Sequence, residues 1–85
     1  MFIFHADKAG NTTAINTSHI IRLFQIDNEI YITMVDDEIP AELKEVQYKA
    51  VTIFAGADAE AANKKMRQFF KAVSNGAPAF YFGGE

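Results

Sequence analysis

The stretch Tyr48-Lys49-Ala50-Val51-Thr52-Ile53-Phe54-Ala55-Gly56-Ala57-Asp58-Ala59-Glu60-Ala61-Ala62-Asn63-Lys64-Lys65-Met66-Arg67-Gln68-Phe69-Phe70-Lys71-Ala72-Val73 changes its hydrophobic period part-way along. Tyr48 to Phe54 is rich in β-branched and aromatic residues and reads as a strand. Gly56-Ala57 breaks that strand, and Asp58 offers a side-chain oxygen to the free amides of a helix's first turn. Ala62, Met66, Phe69, Phe70 and Val73 then recur at helical spacing and make one apolar stripe. Asn75-Gly76 stops the helix, and Pro78 prevents its return. Glu60 sits near the positive end of the helix dipole and Lys71 near the negative end, each contributing ~0.3–1 kcal/mol. A strand that runs into one amphipathic helix makes the chain mixed α and β.

Upstream, two alternating runs, Ile20 to Ile26 and Glu29 to Val35, are separated by Asp27-Asn28. Both turn residues tolerate positive φ better than most, so the reading is a hairpin. Ile30, Ile32 and Met34 point one way from the return strand, and Tyr31, Thr33 and Val35 the other. Both faces are largely apolar, which places this strand centrally or under cover on both sides. Phe2 to His5 reads as a short strand with Phe2 and Phe4 on one face. Lys8-Ala9-Gly10-Asn11 is turn chemistry, and Thr12 to Asn16 is β-rich. Asn16-Thr17-Ser18-His19 can bond back to its own backbone, which predicts a corner or bulge.

Downstream of the hairpin, Asp36 to Glu45 is an acidic connection. Pro40 suits the first position of a short helix through Ala41-Glu42-Leu43-Lys44, with a loop as the alternative. Ala79-Phe80-Tyr81-Phe82 is a short C-terminal strand, and Gly83-Gly84-Glu85 a tail. The whole reads as one α+β domain over residues 1–85: an antiparallel β-meander of five to six strands, one amphipathic helix packed on a face, and a last strand able to return beside the first.

The 85 residues suffice for one domain. Hydrophobic residues make up 49% and charged residues 22%, a globular balance. Eight Phe and three Tyr are a heavy apolar load for this length, which points to some of it lying at an interface. The absence of cysteine excludes disulfides, thiolate-bound zinc and thiol catalysis, and leans towards the cytoplasm. Met1 to His5 has no basic n-region, and no stretch approaches the ~20 apolar residues of a membrane span. Two glycosylation sequons, Asn11-Thr12-Thr13 and Asn16-Thr17-Ser18, carry no weight without a secretory signal.

Catalytic chemistry finds no foothold, and no cofactor is implied. Ser18 adjoins His19, but neighbours on an extended chain point to opposite faces. His5 and Asp7 supply two metal ligands with nothing to fix a third. Asp36-Asp37-Glu38 lacks the glycine and oxygen spacing of a calcium loop and reads as a solvated turn. Gly83-Gly84 is followed by no helix and so is no phosphate loop. That pair looks like the tail of the ubiquitin-like sulfur carriers in its last residues alone. Glu85 would have to be removed, and the order of elements matches poorly.

Ala14-Ile15-Asn16-Thr17-Ser18-His19-Ile20, then the hairpin to Tyr31-Ile32, then Thr52-Ile53-Phe54 leading into Asp58-Ala59-Glu60-Ala61-Ala62, resembles a loose class of small uncharacterised bacterial and phage proteins. In these an Ile-Asn…Ile corner precedes a hairpin, and a strand then enters a helix that opens with acidic residues and Ala. The likeness spans most of residues 1–74; Pro40 and the aromatic C-terminal strand depart from it. It implies a bacterial or prophage accessory protein and no residue-level function.

The functional expectation is a non-enzymatic cytoplasmic protein that forms a homo-oligomer or binds a protein partner. Phe80, Tyr81 and Phe82 are its apolar anchors if their strand, apolar on both faces, lies at a sheet edge, where such strands tend to pair; the alternative is an internal strand beside Phe2-Ile3-Phe4. The alternative is weak nucleic-acid binding by Lys64, Lys65, Arg67 and Lys71 on the helix. The net charge of −3 makes that binding weak and salt-sensitive. The same cations suit the acidic Asp36–Glu45 region of a neighbouring copy.

Overall fold

A capped corner and a helix redirect the chain, and the six strands among the described residues form two sheets. The computed structural model describes residues 1–6, 9–35 and 48–83, without the side chains of residues 35, 48 and 49. The expected short helix at Pro40 lies outside the described residues. The elements are β1 (Phe2–Ala6), β2 (Thr12–Asn16), a 3₁₀ turn (Thr17–His19), β3 (Ile20–Ile26), β4 (Glu29–Val35), β5 (Tyr48–Ala55), α1 (Ala59–Ser74) and β6 (Ala79–Gly83). The α+β class follows, with six strands and one α-helix among the described residues.

The strands are ordered β2-β1-β6 in the first sheet and β3-β4-β5 in the second. Sequential pairs are antiparallel, as a meander requires, but the corner after β2 divides them between two sheets. Asn16 caps that corner, its side chain accepting from the Ser18 amide at 3.1 Å. The Thr17 amide and hydroxyl both donate to the Met1 carbonyl, at 3.0 and 3.1 Å, and tie the corner to the start of β1. The last strand does return beside the first, and it runs parallel to it.

β4 is the central strand of the second sheet, and Ile30 and Ile32 point from it into the core. The turn uses its two residues differently. Asp27 takes the positive φ of 51°. Asn28 instead holds the junction between β5 and α1: its carbonyl accepts from the Gly56 amide, and its side-chain amide donates to the Gly56 carbonyl, both at 2.8 Å. Gly56 is required there by closeness. A Cβ on it would stand 2.8 Å from the Ala61 Cβ.

Helix α1 has the ends its sequence predicts. The Asp58 side chain accepts from the Ala61 amide at 2.8 Å. At the other end Gly76 adopts φ 69°, and the amides of Gly76 and Ala77 donate back to the carbonyls of Val73 and Ala72. This is the paired closure in which glycine relieves the Cβ penalty of the left-handed region. Pro78 then receives the Phe2 amide at 2.9 Å, and β6 begins.

The core gathers Ile3 and Ile15 from the first sheet, Ile30, Ile32 and Ile53 from the second, Ala62 and Phe69 from the helix, and Phe82 from β6. The Phe69 ring meets Phe82 at 5.2 Å and Phe80 at 5.4 Å, and those two rings lie 4.9 Å apart. Each such pair adds about 0.5–1.5 kcal/mol beyond its burial. The apolar stripe expected along α1 is only partly used. Ala62 and Phe69 are buried and Met66 packs against the core, while Phe70 and Val73 remain half exposed. Phe70 lies one residue, about 100°, round the helix from Phe69, which turns it off the buried side.

Candidate functional site

Side chains alternate along a strand, so each sheet has an inner and an outer face. In β1, Ile3 and His5 are buried, which sends Phe2, Phe4 and Ala6 outward. The register extends that face to the neighbouring strands. On β2, Asn16 lies opposite Phe2, Ala14 opposite Phe4 and Thr12 opposite Ala6. On β6, Ala79 lies beside Phe2 and Tyr81 beside Phe4. Eight outward positions therefore carry three large aromatic groups, three alanines, Asn16 and Thr12, with no charged side chain among them. Phe2 is 46% exposed and Tyr81 53% exposed, and the Phe2 and Phe4 rings stand 6.5 Å apart.

The three residues expected as interface anchors are divided by this alternation. Tyr81 faces outward. Phe82, at 1% exposure, belongs to the core, and Phe80 packs against that core from the inner face. Phe80 and Phe82 therefore position Tyr81 from behind. Strand alternation in Ala79–Phe82 carries this division. The contribution of Phe2 and Phe4 to the same face depends on the parallel β1–β6 pairing, which no local pattern encodes.

The outer face of the second sheet is also aromatic, yet its rings Phe24 and Tyr31 are engaged by their neighbours, while Ile26 on the strand of Phe24 is 57% exposed. Phe24 on β3 and Tyr31 on β4 are directly opposite, their rings stacked at 5.4 Å and 20°. The Arg22 guanidinium covers the Phe24 ring, 4.8 Å from its centre. The Tyr31 hydroxyl donates to the Glu29 carboxylate. That hydrogen bond is the main cause that holds the Tyr31 hydroxyl above the usual tyrosine range.

The exposed side of α1 carries Lys64, Arg67, Gln68 and Lys71, as the helical spacing predicts. Two of the four cations named for nucleic acid are already engaged. Arg67 pairs with Glu60 at 3.2 Å, and Lys65 is half-buried with its amine 5.4 Å from the centre of the Phe54 ring. At the other end of the hairpin, the Gln25 side chain bridges the Asp27 carbonyl and the Asn63 side chain, at 2.9 and 2.7 Å.

Among the described residues, the groups weighed for chemistry do not converge. His5 is buried against the inner face, whereas His19 and Ser18 lie exposed at the corner. Asp7, Asp36, Asp37, Glu38, Gly84 and Glu85 lie outside the described residues. Among the described residues no group of three or more His, Asp or Glu side chains is placed to hold a metal ion. No described helix is long and apolar enough to cross a membrane. No protein-family model, curated protein or solved structure matches the chain.

Proposed function

We propose that this chain is a non-enzymatic protein-binding module, self-associating or taking a protein partner through the outer face of its first sheet. One observation carries the reading: Phe2, Phe4 and Tyr81 share an outward face whose eight described positions include no charged side chain. Isolated apolar residues on a surface are ordinary, but a contiguous aromatic patch with a polar margin marks an interaction site. The anchors are Tyr81 together with Phe2 and Phe4, and Phe80 and Phe82 fix the strand that presents them. The absence of cysteine and the resemblance to small bacterial and phage proteins support a cytoplasmic, bacterial or prophage accessory role. The test is Tyr81→Glu. The variant stays folded by circular dichroism and loses association in size-exclusion chromatography with light scattering. An unfolded variant, or one that associates like the parent, contradicts the reading.

The second reading is weak nucleic-acid binding by the helix, favoured by the exposure of Lys64, Arg67 and Lys71 along one side. The Glu60 carboxylate offsets one of these charges. It predicts co-purifying absorbance at 260 nm that disappears at high salt. With no Trp and three Tyr, the protein's own absorbance at 280 nm hides little of it.

A further inference from the structure

The lack of charge that marks the first sheet's outer face also selects what covers it. We propose that this face docks a second copy of the chain, packed face to face about a two-fold axis; the inference rests on the protein-binding reading above. In a two-fold contact the same patch serves both sides, so a side chain near the axis meets its own twin. Identical charges there would repel. The chain carries a net charge of −3, yet Phe4, Ala14, Ala79 and Tyr81 offer nothing to repel. A partner held by charge complementarity would need ionic groups, and the described positions of this face carry none.

The relief of the face suits self-packing. Phe2 and Phe4 form a ridge along the central strand β1. Ala14 is the low position beside Phe4 on one flank, and Ala79 the low position beside Phe2 on the other. Side chains from two such sheets interdigitate across a gap of ~10 Å.

Size sets the strength. Three strands at ~4.8 Å spacing and five residues at ~3.3 Å rise cover roughly 240 Å² in projection. Protruding rings add to that, and the contact stays at or below the ~1,000 Å² over both copies that marks the lower limit of specific interfaces. A contact of that size is of the weak, exchanging kind.

The absence of native cysteine permits a direct test. Single variants Ala14→Cys, Ala79→Cys and Ser74→Cys are treated with a short bismaleimide at high protein concentration. The expected result is dimer cross-linking at both Ala14→Cys and Ala79→Cys, none at Ser74→Cys on the helix, and at least tenfold weaker association when Phe4→Glu is added. Tyr81→Glu repeats that last measurement should Phe4→Glu not fold. Cross-linking of Ala79→Cys alone overturns the inference in favour of strand addition along the β6 edge. Cross-linking of Ser74→Cys alone overturns it in favour of the helix. A parent chain that is monomeric at every concentration, yet holds another protein that Tyr81→Glu releases, also overturns it and leaves the protein-binding reading standing. A monomer that holds nothing overturns both.

Discussion

The two sheets turn aromatic residues outward in opposite states. On the second sheet the rings are spoken for: Phe24 stacks on Tyr31, Arg22 covers Phe24, and Glu29 takes the Tyr31 hydroxyl. On the first sheet Phe2 lies between Asn16 and Ala79, and Phe4 between Ala14 and Tyr81, and none of these cross-strand neighbours is charged. Aromatic content alone therefore does not mark a binding face. A ring already satisfied by a cation and a stacked neighbour has less to gain from a partner than one flanked by methyl groups.

The largest expected effect separates adjacent residues of one strand. Phe82→Ala removes a buried ring that touches Phe69 and Phe80, and costs about 3–5 kcal/mol of stability in urea unfolding. Such a loss approaches the lower end of the ~4–13 kcal/mol available to a chain of this length. Tyr81→Ala changes stability by less than about 0.5 kcal/mol, as an exposed position does. It acts on association instead. A comparable loss of stability in the two variants would show that β6 has no separate outer face.

Next comes a pair that contrasts the sheets. Tyr81→Glu weakens association at least tenfold, equivalent to about 1.4 kcal/mol. Phe24→Ala on the other sheet leaves association unchanged and costs about 1 kcal/mol of stability through its lost stacking and cation contact. Light scattering and chemical denaturation read the two quantities separately, and the reverse pattern would exchange the roles of the sheets.

Much of the fold was legible because local chemistry agrees with it. Asp58 caps, Gly76 closes the helix, Asp27 turns the hairpin, and Asn16 bonds back into the corner, each through atoms a few residues away. Long-range placement was legible only in part: the return of the last strand beside the first was readable, its parallel direction and register were not. That β6 lies parallel beside β1, and so sets Tyr81 next to Phe4, depends on contacts across most of the chain. Asn28 shows the same limit within one residue. Its turn propensity was readable, while its two hydrogen bonds to Gly56 come from tertiary structure. The candidate site was accordingly half readable: Tyr81 from the alternation of its own strand, Phe2 and Phe4 only once the pairing is known.

Two smaller effects sharpen the contrast further. Asn28→Ala loses the side-chain bond to Gly56 and costs about 0.5–1.5 kcal/mol, with association intact because the hairpin belongs to the second sheet. The smallest effect is on titration. The Glu29 hydrogen bond favours protonated Tyr31, so its folded pKa is raised above the unfolded value. Its contribution to stability is complete below the ordinary tyrosine pKa and is lost as pH rises through the folded one. Glu29→Gln should bring the Tyr31 phenolate transition, followed by ultraviolet absorbance, to lower pH. An unchanged transition would show that the second sheet's outer groups are less engaged than the geometry requires.

The most direct test is a dilution series of the parent chain in two-dimensional NMR. The account predicts concentration-dependent shifts confined to Phe2, Phe4, Ala14, Ala79 and Tyr81, with Arg22, Phe24 and Tyr31 unmoved. Shifts centred on Arg22, Phe24 and Tyr31, or none at any concentration, would contradict it.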